Sequence, residues 1–108
     1  MTCKSFLAYG RSGMGDVFKA LADPTRRAIL DELIERDGQT LFELCSRLTM
    51  RHGIGSTRQA ISQHLDVLEA AGLVHSRRDG RSKLHFVDTA PLRAIRERWP
   101  TTEREDEP

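Results

Sequence analysis

The stretch STRQAISQHLDVLEAAGLV, residues 56–74, constrains the fold more than any other part of the chain. Ile61, Leu65 and Leu68 recur at i, i+4 and i+7 and fall on one stripe of a helix, while Gln59, Ser62, Gln63 and Asp66 point the other way. One face belongs to a core, and the opposite face is free to read something. Ser56 followed by Gln59 fits a capping box, and Gly72 fits the left-handed residue that closes a helix. A bounded helix with two unlike faces that runs straight into a strand has the character of a DNA-recognition helix.

The flanking sequence supplies the rest of a small fold. Residues 1–15 hold three glycines and little periodicity, and read as a flexible N-terminal arm. A first helix is expected from Asp16 to Ala22, with Val17, Phe18 and Leu21 apolar, and Asp23 before Pro24 pairs an N-cap residue with a favoured first helical residue. The next helix, Thr25 to Arg36, puts Ile29, Leu30, Leu33 and Ile34 on one side and stops at Gly38. Thr40 with Glu43 forms another capping box, opening a short helix through Leu48 whose inward residues are Leu41, Leu44 and Leu48. Residues 49–55 contain two glycines with Arg51 and His52, a longer connection than a tight helix-turn-helix needs.

After Gly72, the runs Leu73 to Arg78 and Ser82 to Val87 read as strands joined around Asp79, Gly80 and Arg81, where Asp-Gly is a short-hairpin signal. A hairpin directly after a recognition helix is a wing. A last helix, Pro91 to Trp99, carries Leu92, Ile95 and Trp99 on one stripe and needs a partner surface. The expected fold is mainly α with a small β-hairpin: a winged helix-turn-helix of about five helices and a two-stranded wing over residues 16–99, with residues 100–108 a disordered acidic tail.

A chain of 108 residues has room for one core. Its net charge of +1 averages over a tail in which Glu103, Arg104, Glu105, Asp106 and Glu107 sum to −3, leaving +4 elsewhere. Between Arg51 and His85 six cations face three acids, and all four histidines lie there, so this interval is a local basic surface. There is no apolar run of membrane-spanning length and no secretory leader pattern, so a cytoplasmic protein with reduced thiols is expected. Nothing matches a phosphate-cradling glycine loop, a nucleophile elbow or a catalytic carboxylate pair, so an enzyme is not expected, nor is a cofactor.

Four segments, ALADPTRRAIL (20–30), LFELCSRL (41–48), TRQAISQHLDVLEAAGLV (57–74) and RRDGRSKLHFV (77–87), resemble the ArsR/SmtB family of bacterial winged-helix repressors. The resemblance implies a homodimer, paired through its first and last helices, that binds double-stranded operator DNA until a signal releases it. Metal-sensing members carry Glu-Leu-Cys-x-Cys-Asp-Leu on the short helix, where this chain has Glu43, Leu44, Cys45, Ser46, Arg47 and Leu48. Other members place histidines and carboxylates on the last helix, which here offers only Glu97. Both usual metal sites are incomplete.

Gln59 and Gln63 are suited to adenine edges, Ser62 to a base or a phosphate, and Arg58 to guanine or phosphate, with Thr57 beside them at the helix start. The bland alternative is a solvated helix face. His64 lies on the flank, where packing or one phosphate bond fits better than metal ligation. Arg77, Arg78, Arg81 and Lys83 cluster around the hairpin tip, where they would reach a groove or the backbone, or simply blunt a sheet edge. Protonation of the histidines on this basic surface would raise DNA affinity as pH falls. Leu92, Ile95 and Trp99 are the candidate dimer seam. Two other functions stay open: a thiol or metal sensor in which Cys3 meets Cys45, and a winged-helix module that docks a protein along its hairpin.

Overall fold

The computed structural model describes residues 14–100, and its elements follow in the order α1 (Met14–Leu21), α2 (Pro24–Glu35), α3 (Leu41–His52), α4 (Arg58–Ala70), β1 (Val74–Asp79), β2 (Ser82–Val87) and α5 (Ala90–Arg98). This is the winged helix-turn-helix expected from the sequence. Met14 and Gly15, read from the sequence as the end of the flexible arm, belong instead to α1, while residues 1–13, with Cys3, and residues 101–108 of the acidic tail lie outside the described residues.

Ile29 and Leu33 from α2, Leu44 and Leu48 from α3, and Ile61, Leu65 and Leu68 from α4 form one buried cluster, closed by Val17 and Ala20 of α1 and by Leu73 and Val74 at the root of the wing. Ile34, assigned to the core from its periodicity, is instead exposed. The buried stripe of α2 is centred on Ala28, Ile29, Glu32 and Leu33, which leaves Ile34 just past its edge. A carboxylate takes the place expected of an apolar residue because three basic side chains from α3 cover it.

Helix ends follow capping chemistry, with two corrections. The Asp23 carboxylate accepts the Arg26 N–H at 3.0 Å, and Thr40 and Glu43 complete their reciprocal box at 3.1 and 2.9 Å. On α4 the cap is Thr57 and not Ser56, since the Thr57 hydroxyl accepts the Ala60 N–H at 3.0 Å. That moves the third helical residue from Gln59 to Ala60, so no capping box forms and Gln59 is left free. The other end of α4 is a Schellman closure: Leu73 N–H donates to Leu68 C=O, Gly72 N–H to Glu69 C=O, and Gly72 has φ +78°.

The second correction shortens the connection before α4. Helix α3 continues a full turn past Leu48 to His52 and ends at Gly53 in the left-handed conformation. Thr49, Met50, Arg51 and His52 are therefore helical, and only residues 53–57 join the two helices. Arg51 and His52 are held in that turn by carboxylates of α2.

The wing pairs Arg78 with Lys83 and Asp79 with Ser82, so the turn is Gly80-Arg81, one residue later than Asp-Gly suggested. Gly80 has φ +64° and no non-glycine residue described has positive φ, the pattern of a type II′ hairpin. At the root of the wing Gln39 makes an isolated antiparallel bridge to His85. Its side-chain amide donates to the Glu32 and Arg36 carbonyls at the end of α2, at 3.0 and 2.7 Å. One residue thus closes a helix and anchors the wing to it.

Gly38, just before that bridge, has φ +72°, and a Cβ added there would meet the Phe86 ring at 3.0 Å. Gly38→Ala combines a strained backbone with a displaced aromatic, and is expected to cost about 1–2 kcal/mol. A urea denaturation midpoint lowered with unchanged slope would register it; an unchanged midpoint would show that Phe86 yields freely.

Candidate nucleic-acid interface

The face of α4 that points away from the core is made of Arg58, Gln59 and Gln63, all exposed, with Ser62 half-buried beside them. Each amide offers the paired donor and acceptor that an adenine edge complements. Thr57 stands at the helix start with its hydroxyl oxygen already accepting the Ala60 N–H. The fold brings Gln59 and Gln63 onto one face, as their spacing requires.

His64 turns toward the opposite flank. Its Nδ1 lies 3.1 Å from the Arg26 guanidinium, which can only donate, so Nδ1 accepts. Arg26 also donates through Nε to the Ala20 carbonyl at 2.9 Å, and so ties α1, α2 and α4 together. Burial would raise the Asp23 pKa, but its cap hydrogen bond with the Arg26 N–H and the nearby charge of Arg26 work against that, and it lies below 3.8.

Strand alternation divides the wing. Arg78 and Lys83 sit directly opposite each other, on the same side of the hairpin as buried Val74 and His85. That side faces α4 at its root, so the two cations extend the same face outward from the protein. Like charges directly opposite destabilise a hairpin, so a stability argument alone disfavours the pairing, whereas a phosphate backbone satisfies it. Arg77 points to the other side with its guanidinium 4.8 Å from the centre of the Phe86 ring, and His75 stacks on the same ring. Arg81 is exposed at the turn. Of the four basic residues, Arg78, Arg81 and Lys83 are placed for a ligand beside α4, and Arg77 is partly committed to Phe86.

The histidines do not form one basic surface. His85 is only 5% exposed, and burial, with Lys83 adding to it, pushes its pKa below 6.5, although Glu69 and Asp66 pull the other way. His52 Nε2 contacts the Glu32 carboxylate at 2.8 Å. The expectation that all four gain charge on a DNA-facing side therefore fails for His85, which is inside the protein.

Sequence reasoning missed Glu32. It is 2% exposed and lies 2.6 Å from Arg47, 2.8 Å from His52 and 3.2 Å from Arg51, with Arg51 also reaching Glu35 at 2.7 Å. Burial would raise its pKa, yet the hydrogen bonds from Arg47 and His52 and the charge of Arg51 hold it below 4.5. The available signal was a carboxylate on the apolar stripe of α2 with cations spaced along the next helix.

Cys45 is half-buried, and burial pushes its thiol above 9.0, offset only in part by the charge of Arg58. The thiolate that a soft metal or an oxidant needs is therefore disfavoured at neutral pH. Among the described residues no three His, Cys, Asp or Glu side chains gather in a metal-binding arrangement. At the far side of the fold α5 packs on α1, with Leu92 and Ile95 half-buried. Trp99 lies one residue beyond α5 and is 55% exposed, its ring 6.5 Å from that of exposed Phe18. No helix among the described residues is long and apolar enough to cross a membrane.

A helix-turn-helix domain family model matches residues 21–77. The chain is 49% identical over 83 residues to YuzN of Bacillus subtilis, an uncharacterized HTH-type transcriptional regulator, covering 77% of this chain and 90% of that one. It is 32% identical over 79 residues to the transcriptional repressor SdpR of the same organism, covering 73% and 80%. Among solved structures, an ArsR-like transcriptional regulator from Rhodococcus sp. RHA1 superimposes with a TM-score of 0.70 at 35% identity, over 84% of this chain and 75% of that one.

Proposed function

Because the chain belongs to the ArsR/SmtB family of winged helix-turn-helix transcriptional regulators, which bind DNA and are not enzymes, we propose that it is a cytoplasmic homodimeric repressor of an inverted-repeat operator. The observation that carries the reading is the Arg78–Lys83 pair, two cations held opposite each other on the side of the wing that faces the recognition helix. Gln59 and Gln63 read base edges in the major groove. Arg58, Ser62 and the amino end of α4 hold the backbone, and Arg78, Arg81 and Lys83 follow the phosphates or an adjoining minor groove.

The exposed Phe18–Trp99 pair, continued by Leu92 and Ile95, supports dimerisation through α1 and α5. Two exposed aromatics in contact form an apolar patch that a second copy would cover. A two-fold dimer sets its reading helices about 34–36 Å apart, one turn of DNA, hence an inverted repeat.

The wing contacts give a specific test. Arg78→Gln and Lys83→Gln should weaken binding to every duplex alike, and each, by removing one phosphate contact from each of two protomers, should reduce the slope of log affinity against log salt by about 2. Titrations at several salt concentrations measure the slope, and the binding end point should correspond to two protomers per duplex. Slopes equal to that of the unaltered protein would remove these residues from the interface.

A further inference from the structure

We propose that the cleft between α3, α4 and the wing is a binding site for a small aromatic or similarly flat carboxylate, and that its occupation excludes DNA. The cavity measures about 400 Å³, within the range of natural small-molecule sites. Leu41, Phe42 and Leu65 provide apolar walls, and Ser62, Lys83 and His85 provide polar ones.

An exposed aromatic ring and a buried imidazole meet there. Phe42 is 67% exposed on the first turn of α3, a large ring at the rim of the cavity. His85 lines the cleft while almost wholly buried, its Nδ1 shielded from solvent and without a hydrogen-bond partner among the described residues. The neutral ring, held below its ordinary pKa chiefly by burial, offers one N–H and one lone pair.

Among the described residues Lys83 is the sole charged one lining the cavity, and it selects an anion. The apolar walls select a body that acetate or phosphate lacks. Asp66 and Glu69 of α4 act on His85 from outside the lining and disfavour a dianion. A monocarboxylate would meet the Lys83 ammonium and the Ser62 hydroxyl, with its flat body between Phe42 and Leu65. Ser62 and Lys83 are also in the proposed DNA interface, so an occupied cleft withdraws both from DNA. That consequence rests on the DNA-binding reading; binding of the carboxylate does not.

The test is a titration of the free, 15N-labelled full chain with benzoate, followed through the His85 ring nitrogens and the Phe42 amide. A saturable shift at both is expected, with acetate and benzyl alcohol each about tenfold weaker, since each carries half of the required chemistry. Phe42→Ala, an exposed change that spares folding, should weaken benzoate about fivefold while leaving duplex affinity unchanged. Saturating benzoate should lower duplex affinity of the unaltered protein about tenfold. The absence of a saturable shift, equal affinity for acetate, or undiminished benzoate binding by the Phe42→Ala variant overturns the site. Saturation with unaltered duplex affinity overturns the exclusion of DNA. A free protein that binds benzoate but no duplex sinks the DNA-binding reading and leaves the cavity assignment standing.

Discussion

Glu32→Ala is expected to destabilise the protein by about 3 kcal/mol, the lower end of what removing one partner from a buried ion cluster costs. The lower end applies because Arg47, His52 and Arg51 keep 24%, 28% and 47% of their side-chain surface exposed and regain water when the carboxylate goes. Glu32 itself is almost fully enclosed, with its charge answered from three positions on one helix. The alanine would also leave a gap between α2 and the last turn of α3. Since that turn carries the short connection into α4, the angle of the recognition helix loosens with it. Equilibrium urea unfolding measures the loss; a change below about 1 kcal/mol would mean the cluster is a solvated surface network.

The same residue sets a pH dependence. Its folded-state pKa lies below the ordinary 4.5, so the unfolded chain binds the proton more tightly than the folded one. The stabilisation is present above pH 4.5 and is lost as pH falls through the folded value. Stability of the unaltered protein should therefore decline below pH 4.5, and that part of the decline should be absent in Glu32→Ala.

The second large effect is on recognition. Gln59→Ala and Gln63→Ala should each cost about 1–3 kcal/mol of operator affinity per half-site, roughly tenfold to a hundredfold for each, with little change on unrelated DNA. Both side chains are exposed and neither is placed in the core, so folding should be unaffected. The contrast with the wing is diagnostic: loss of Lys83 weakens all sequences, and loss of Gln63 weakens the operator alone. Equal losses on operator and scrambled duplex would reassign the glutamines to the solvated face that their polarity also allows.

Most of the architecture was legible in the sequence because it is written in local, short-range chemistry. The stripes of α3 and α4, the Asp23 and Thr40 caps and the closing Gly72 depend on residues within a turn or two of one another. What was misread depends on partners distant in sequence. Helix α3 runs on to His52 because Arg51 and His52 meet Glu32, about twenty residues earlier, and periodicity carries no trace of that contact. Ile34 lost its core place to the same carboxylate. Gln39, a polar residue in a short connection, gave no hint that it would close α2 and bridge β2. The exposed polar face of α4 was readable because Gln59 and Gln63 share a helix. The buried state of His85 was not, since it arises where β2 meets Gln39 and α4.

The most direct test of the central claim is selection of the full chain against a pool of randomised duplexes, followed by fluorescence anisotropy of the selected sequence and a scrambled control at several salt concentrations. The account predicts convergence on an inverted repeat with half-site centres about one helical turn apart, bound at least roughly a thousandfold more tightly than the control, with affinity falling steeply as salt rises. A pool that never converges, with equal and weak binding to selected and scrambled duplexes, would contradict it.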